Sequence, residues 1–510
     1  MGSLLVLYLN SGPLTGSRLQ NLYGSSAVVW LYGAPRDADG VQALSSQLWG
    51  AYVFLAYVTP ILGGTLADAV FGSRTTLLCG GALMALGHGC MVLERWFFIG
   101  LALVALGNGG FKPSVSAQVS DLYPENSPLR ERGFAIFYAG INVGAFLAPL
   151  ACGHLAETVS YHAAFGLAGV GMILALFIYL IGLRFLPPSK AEARGCGRMN
   201  SSGGRGYESQ GEMPISASVA FASSHMTIAQ WASLSALCAF TIPFWAVYAQ
   251  LGNTLVLVLR DHTERSLGGG RLEIPVSWLQ ALNPCLCILI LQPLSSFWAR
   301  QSSRGTAPSP TTKMGIGCAL LATAYVGIGV VAATYGSGAA PAPAGSAAAA
   351  SRGRSLRGGG SLRGTSVDPF VQGVPSWRMP LLPVLMAITL MTVGEIYVSP
   401  VGLALVCSTS GGSSAALGVW FVSGGMGGAL AGYLGAFYSH VPIHRFLMGL
   451  GIVSALASAC FLFAGPILQE HAAGGRALRV QVHAAAVDEE TVVLVESGYL
   501  GHETVESHCR

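Results

Sequence analysis

Long apolar blocks separated by short polar segments run through most of the chain. Each block approaches or exceeds the roughly 20 residues that a helix needs to cross a bilayer core. None alternates polar and apolar positions as a membrane barrel strand does, so the fold class we expect is an all-α polytopic membrane protein. The pattern predicts eleven full spans, near residues 45–66, 75–93, 96–120, 132–155, 163–185, 228–258, 275–298, 313–335, 379–407, 412–438 and 444–467.

Polar regions divide this series into two halves. Residues 187–226 and the insert 336–378 are rich in Gly, Ser, Ala and Pro, which predicts flexible segments. The apolar opening, residues 1–9, is too short to span and is interpreted as the remaining half of a twelfth helix. The predicted organisation is two six-helix bundles, an arrangement typical of secondary transporters. Its predicted parts are an N-terminal bundle over 1–186, a linker over 187–226, a C-terminal bundle over 227–467 and a polar tail over 468–510.

Composition excludes several classes of protein. The chain is 52% hydrophobic and 10% charged, whereas an ordinary soluble domain has roughly 25% charged residues. A soluble enzyme is therefore excluded, and no HExxH, GxxxxGK[ST] or GxSxG motif supports any enzyme. The net charge of +4 is too slight and dispersed for a nucleic-acid partner. The cysteines lack metal-ligand spacing, so we expect no metal site. No cofactor and no obligate protein partner are expected either.

Two charges stand where a membrane should exclude them. Lys112, one of the chain's three lysines, lies in IGLALVALGNGGFKPSVSAQVS, and Glu395 lies in the middle of another apolar block. Such groups are costly in lipid and mark substrate or ion pathways by default. A lysine and a glutamate in opposite bundles can form a pair that breaks and re-forms during transport, and protonation of the acid would loosen it. The alternative is a static buried ion pair that joins two helices.

The residues around these charges favour a binding cavity. The cluster Gly107 to Gly110 and Pro113 are expected to open the helix beside Lys112, as broken helices do in transporters. Further polar or aromatic side chains recur within the apolar blocks, although each alone is more typical of packing between helices. A cavity with one cation, one anion, amides and aromatics suits a small zwitterion with apolar side chains. These residues are Tyr57, Asn142, Trp245, Gln250, Asn283, Ser399 and Trp420.

Several motifs identify a family. The chain resembles the proton-dependent oligopeptide transporter family of the major facilitator superfamily, most closely its bacterial-type members. The resemblance covers most of residues 1–465 and is most specific over 107–153. The segments that carry it are GGTLADAVFGSRTT (63–76), GNGGFKPSVSAQVSDLYPE (107–125), GFAIFYAGINVGAFLAPLACG (133–153), FWAVYAQLGNTL (244–255), LNPCLCILILQPL (282–294), GEIYVSPVGLALV (394–406) and GVWFVSGG (418–425).

The resemblance implies a twelve-helix symporter that carries di- and tripeptides with protons by alternating access. Bacterial members have two extra helices between the bundles, but the Gly/Ser-rich linker 187–226 is not expected to form them, which predicts twelve helices in place of fourteen. Lys112 would couple to protons and hold the peptide carboxylate, while Glu395 would meet the peptide amino group. Ser399, one turn after Glu395, would face the same cavity. Among other matching positions, Asn142 and Asn283 would contact the amino group, Tyr57 would line the site, Trp420 and Phe421 would form a side-chain pocket, and Asp68 and Arg74 would form a cytoplasmic gate.

Two departures from the family pattern leave alternatives open. The helix-1 motif ExxERFxYY ends just before this sequence begins, and Ala249 stands where helix 7 normally carries an acid. A truncated gene model would explain the missing half of helix 1 but not Ala249, and the loss of both could instead indicate a divergent protein with altered coupling. The runner-up functions are carriage of another small anion or an amino-acid conjugate, and a transport-inactive, receptor-like relic. A multi-pass protein of the plasma membrane is expected, with an organelle membrane as the alternative.

Overall fold

The chain folds almost entirely into helices. The computed structural model describes residues 2–122, 128–186, 226–267, 272–337, 377–410 and 414–473. The helices of that part, α1 to α17 in chain order, are Gly2–Leu9, Gly16–Gln20, Ser25–Tyr32, Ala38–Leu66, Gly72–Val92, Phe97–Asp121, Pro128–Thr158, Tyr161–Gly182, Ile228–Tyr248, Thr254–Asp261, Val276–Gln280, Leu282–Ser303, Pro310–Ser337, Leu381–Ser410, Ser414–Gly435, Ile443–Phe463 and Gly465–Ala473.

Within the described residues, ten helical stretches are long and apolar enough to cross a membrane. The longest joins α4 to α5 through a π-helical turn, Ala67–Phe71, followed by Gly72 at φ +76°. Both Gly63 of α4 and Gly80 of α5 pack against the same part of α6, residues 107–110. A straight helix would separate those two glycines by roughly 25 Å, so the chain folds back at Gly72. The stretch therefore contains two spans, and the expected all-α polytopic membrane fold is confirmed.

The helices pack in two groups that meet along a shared interface. In the first, α5 packs on α6 and α8, and α4 packs on α6. In the second, α13 packs on α14 and α16, and α9 packs on α15, α16 and α17. The groups meet where α4 contacts α15 and where α7 contacts α11 and α12. The short α1 contacts α4, α10 and α11 at the same interface.

Several of the closest described contacts between the two groups lie at one end. The first half of α4 lies on the second half of α15, so that a Cβ on Gly50 would stand 2.7 Å from the Cα of Gly432. At the same end, the last turns of α7 meet α11 through the side chain of Trp278, whose indole N–H donates to the carbonyl of Leu150 at 3.1 Å. We call this end, where α4 begins and α7 ends, the closed face.

Three sequence predictions need correction. The span predicted over 228–258 is divided, because the helix tightens to a 3-10 turn at Ala249–Gly252 and restarts at Thr254. A two-stranded antiparallel hairpin, β1 Ser266–Leu267 and β2 Leu272–Glu273, interrupts the all-helical pattern. Helix α6 runs unbroken through Gly107 to Gly110 and Pro113, since these glycines permit close packing of helices and do not open the helix.

Some predictions concern residues outside the described part of the chain. The linker 187–226 lies outside it up to residue 225, the insert 336–378 from 338 to 376, and the tail 468–510 beyond Ala473. The expectation of twelve helices in place of fourteen rests on the linker and stays a prediction. Within the described residues, the tail region begins with α17, which packs against α9.

The packing of α5 on α6 predicts opposite effects for two glycines of one helix. A Cβ on Gly80 would lie 2.6 Å from the carbonyl O of Gly107, whereas a Cβ on Gly89 would meet nothing within 4 Å. Gly80→Ala should therefore cost about 1–3 kcal/mol of stability through overpacking. Gly89→Ala should be neutral or stabilising because alanine favours helices. Thermal unfolding in detergent measures both, and equal midpoints for the two variants would contradict the packing described.

Candidate functional site

Glu395 in α14 is surrounded by hydrogen-bond donors from two other helices. Tyr248, the last residue of α9, donates its hydroxyl to Glu395 Oε2. Asn283, at the start of α12, donates its amide to Tyr248 Oη at 2.9 Å, to Thr392 Oγ1 at 3.0 Å and to Glu395 Oε2 at 3.3 Å. The thiol of Cys287 donates to the same carboxylate oxygen at 3.9 Å. We call these five residues the Glu395 cluster.

The cluster leaves one side of the carboxylate available. Every hydrogen bond to Glu395 from the described residues goes to Oε2, and none goes to Oε1. The residue is half-buried. A carboxylate removed from water needs several donors or a cation to offset its desolvation. Oε1 is therefore suited to accept a cationic or donor group of a bound molecule.

Lys112 and Tyr57 form the other part of the site. The ammonium of Lys112 lies 5.4 Å from the centroid of the Tyr57 ring, a cation–π distance. The Tyr57 ring lies against Gly424 of α15, 3.5 Å from where a Cβ would stand. Tyr57 is also close enough to Glu395 for the two to interact electrostatically. Tyr57 thus contacts the lysine and interacts with the acid only through their charges, at longer range.

Close helix packing sets the positions of both charges. Asn108 of α6 donates its amide to the carbonyl of Ala56 on α4 at 3.0 Å. A Cβ on Gly109 would be 2.7 Å from the Cβ of Thr59, so only glycine lets the backbones approach this closely. These contacts bring the lysine of α6 beside the tyrosine of α4. On the other side, Gly394 meets α13 so closely that a Cβ there would lie 2.7 Å from a backbone carbonyl O.

Lys112 and Glu395 do not pair in this conformation. Neither of the two salt bridges whose partners are both described, Arg260 to Asp261 and Arg265 to Glu273 of the hairpin, includes Lys112 or Glu395. The side chain of Lys112 is exposed. The structure therefore presents a cation and an anion in one region with neither neutralising the other.

A second cluster of polar side chains joins α4 to α15 at the closed face. Gln42 of α4 donates to the carbonyl of Gly435 at 2.9 Å and to the hydroxyl of Ser46, also at 2.9 Å. Ser46 in turn donates to the amide oxygen of Asn253 at 3.0 Å. Gln250, beside Asn253, donates to a backbone carbonyl of α15 at 2.8 Å. All these groups are neutral and lie at the closed face.

Comparison with known proteins decides the family. The profile of the POT family matches residues 74–194 and 211–448, more than half of the 510-residue chain. The chain belongs to the POT family. It is accordingly a multi-pass integral membrane protein of a transporter family and not an enzyme, as the sequence predicted.

Bacterial proteins resemble this POT family member over most of its length. An uncharacterized transporter of Bacillus subtilis, YclF, is 26% identical and aligns with 88% of this chain and 91% of its own. The peptide transporter YePEPT of Yersinia enterocolitica is 29% identical, with 83% and 87% covered. A di-/tripeptide transporter of Lactococcus lactis is 28% identical, with 60% and 71% covered.

Solved structures share the fold. A POT family transporter in complex with 5-aminolevulinic acid superposes with a TM-score of 0.65 at 20% identity, over 92% of this chain and 94% of that one. A peptide transporter POT variant in complex with alafosfalin gives 0.63 at 22% identity, over 92% and 93%. The POT family transporter PepTSo gives 0.62 at 19% identity, over 91% and 98%. The predicted major facilitator architecture is confirmed by these matches.

The remaining predicted site residues occupy varied positions. Asn142 is buried and donates to the carbonyl of Tyr138 on its own helix at 3.0 Å. Ser399 is half-buried one turn after Glu395. Trp420 is buried against α14, where Gly402 leaves no room for a Cβ, while Phe421 is 41% exposed. Their roles in binding stay predictions.

The gate motif is only partly described. The side chain of Asp68 lies outside the described part of the chain, although its backbone belongs to the π-helical turn. Arg74, at the start of α5, donates to the carbonyl of Leu186 at 2.7 Å. This bond ties α5 to the segment that follows α8, at the end of the molecule opposite the closed face.

Sequence reasoning missed three members of the Glu395 cluster. Tyr248 directly precedes Ala249, and a tyrosine in an apolar segment carries no signal of its own. Thr392 and Cys287 are likewise ordinary residues for a membrane helix. Helical spacing offered a signal, because Thr392 lies three residues before Glu395 and Cys287 four after Asn283, which places each pair on one helix face.

Removal of the Tyr248 hydroxyl tests the cluster. Tyr248→Phe deletes a donor to a carboxylate and an acceptor for Asn283, and should cost about 1.5–3 kcal/mol of stability. Thermal unfolding in detergent measures the loss. The control is Tyr433→Phe, since Tyr433 is 64% exposed and should tolerate the change. If the Tyr248 variant unfolds at the wild-type temperature, the hydroxyl does not hold the carboxylate.

Proposed function

We propose that this POT family protein is a proton-coupled symporter of di- and tripeptides that works by alternating access. The observation that carries the proposal is the Glu395 cluster, a membrane-embedded carboxylate with one oxygen held by protein donors and the other available. Lys112, unpaired and near Tyr57, supplies the opposite charge. A site with separated charges of both signs suits a zwitterion better than an anion or a neutral solute.

The chemistry of a short peptide fits the two ends of this site. Its protonated amino group would bind Glu395 Oε1 and the amide oxygen of Asn283. Its carboxylate would bind the ammonium of Lys112. Two of the similar bacterial proteins carry the names peptide transporter and di-/tripeptide transporter, which supports this substrate class.

Proton coupling would run through the same carboxylate. Protonation of Glu395 neutralises the anion, so it weakens the hold on any cationic partner and frees Lys112 for the peptide carboxylate. After release of peptide and proton, Lys112 and Glu395 would pair and allow the empty protein to return. A substrate drives such a cycle only by binding one state more tightly than the other.

The orientation we propose places the closed face outside the cell and the gate motif, with Asp68 and Arg74, inside. The two bundles, 1–186 and 227–467, would rock about the site between them. In the described conformation the α4–α15 and α7–α11 contacts close the outer end. We infer that this conformation is inward-facing and that the protein belongs to the plasma membrane.

A second candidate substrate is a small amino acid or conjugate with separated amino and carboxylate groups. A solved structure of a family member holds 5-aminolevulinic acid, which has both groups without a peptide bond. The Glu395 cluster would bind its amino group as well as that of a peptide. Competition separates the candidates, because a peptide carrier should be inhibited more strongly by dipeptides than by 5-aminolevulinic acid.

Uptake into proteoliposomes tests the proposed activity. A labelled dipeptide is supplied outside, with and without an inward proton gradient. The expected result is uptake that the gradient stimulates several-fold and that a proton ionophore abolishes. Dipeptide accumulation that is indifferent to the gradient would contradict symport, and no uptake of any zwitterion would contradict transport.

Glu395→Gln separates binding from coupling. The glutamine side chain does not ionise, so it cannot carry a proton through the transport cycle. Gradient-driven uptake should therefore fall to the level of empty liposomes, while exchange of internal for external dipeptide should partly survive. Glu470→Gln is the matched control because Glu470 is exposed on α17, far along the chain from the cluster. Full driven uptake by the Glu395 variant would remove the acid from the coupling mechanism.

A further inference from the structure

The two groups of helices are joined at the closed face by a carboxylate. Glu157, near the end of α7, accepts a hydrogen bond at Oε1 from the backbone N–H of Val276, the first residue of α11, at 2.9 Å. About two turns earlier on α7, the carbonyl of Leu150 accepts from the indole of Trp278 at 3.1 Å. The contact therefore has one bond to a titratable side chain and one between permanently neutral groups.

Glu157 is unusual among the acids of the described region. It is the only carboxylate with a described side chain whose hydrogen bond joins the first group of helices to the second. The other cross-links at the closed face use neutral side chains, as in the bond of Gln42 to Gly435 and that of Ser46 to Asn253. A change of pH can thus act on the α7–α11 contact while it leaves the α4–α15 contact intact.

We infer that Glu157 is a second proton-binding site of this transporter, a latch that holds α7 to α11 when ionised and releases it when protonated. The inference rests on the proposed proton-coupled function. It gives the closed face a response to protons that is separate from that of Glu395. The position just after α9 where the family pattern has an acid carries Ala249 here, so it offers no carboxylate for such a role.

The physical reason is the strength of the bond in the two protonation states. A hydrogen bond to an ionised acceptor is roughly twice as strong as one between neutral groups. Glu157 is exposed, so protons from the solution at the closed face reach it. Protonation therefore weakens the α7–α11 contact, and alternating access requires that contact to separate.

The charged and titratable groups facing Glu157 modulate this response. Arg265, ahead of β1, attracts the carboxylate, whereas Glu273 of β2 repels it. These two pair with each other at 2.7 Å, so their effects on Glu157 largely offset each other. Tyr161 of α8 also interacts with Glu157. The other charged residue that acts on Tyr161 is Arg260 of α10.

Hydrogen–deuterium exchange of the full chain in lipid nanodiscs tests the latch without any need for transport. The readout is exchange of the peptides that cover 150–158 and 276–280, compared between wild type and variants at each pH so that intrinsic rates cancel. Glu157→Gln keeps an acceptor but cannot ionise. At neutral pH it should exchange several-fold faster than wild type, and at mildly acidic pH the two should converge.

Two further variants define the outcome. Glu94→Gln, at an exposed acid of the same face, should match wild type at every pH. Glu157→Ala removes the acceptor and should exchange faster than wild type at both pH values. If Glu157→Gln and wild type exchange equally at neutral pH, Glu157 is not a proton-sensitive latch.

The same variants can be assayed for gradient-driven dipeptide uptake, which distinguishes this inference from the proposed function. Loss of latch behaviour in a protein that still shows gradient-driven uptake would overturn the role of Glu157 alone. The pH-dependent difference in hydrogen–deuterium exchange in a protein that moves no peptide would support the latch and overturn peptide symport.

Discussion

A carboxylate within a membrane-spanning helix must be compensated by its neighbours, and this requirement organises the core of the protein. Glu395 meets it through Tyr248 and Asn283, which arrive from two other helices. The rotational settings of α9, α12 and α14 are therefore linked through one oxygen atom. The second oxygen lacks a protein donor among the described residues, so the cost of removing the carboxylate from water is only partly offset by the protein. Under the proposed function, a cationic group of the substrate would offset the rest.

The packing around this cluster explains how two charges are held in range of each other without pairing. Small residues let helix backbones approach closely within each group, as at Gly109 against Thr59 and Gly394 against α13. Each charge is thus fixed to a rigid group of helices. At the closed face, the α4–α15 part of the interface depends on glycine contacts and neutral amides, which can separate without exposing an unpaired charge. Rigid halves and a separable interface are what alternating access requires.

Part of this structure could be predicted from the sequence because lipid imposes simple rules. Apolar blocks gave the spans, and Lys112 and Glu395 were conspicuous as charges in apolar surroundings. Tyr248 and Thr392 were not, since a hydroxyl on a helix is ordinary and only the three-dimensional meeting of helices gives it a role. The glycines beside Lys112 do not open the helix as the sequence predicted. In α6 they let α4 and α5 approach closely, and the helix remains intact through Pro113. The sequence shows which residues are unusual, but tertiary packing determines which helix lies against each of them.

The most direct test is a cryo-EM structure of the protein with a bound dipeptide. The dipeptide amino group should lie within hydrogen-bond distance of Glu395 Oε1, with the carboxylate beside Lys112 and the Tyr248 hydroxyl still on Oε2. A dipeptide bound with its carboxylate toward Glu395, or at a place that touches neither charge, would contradict the assignment of this site.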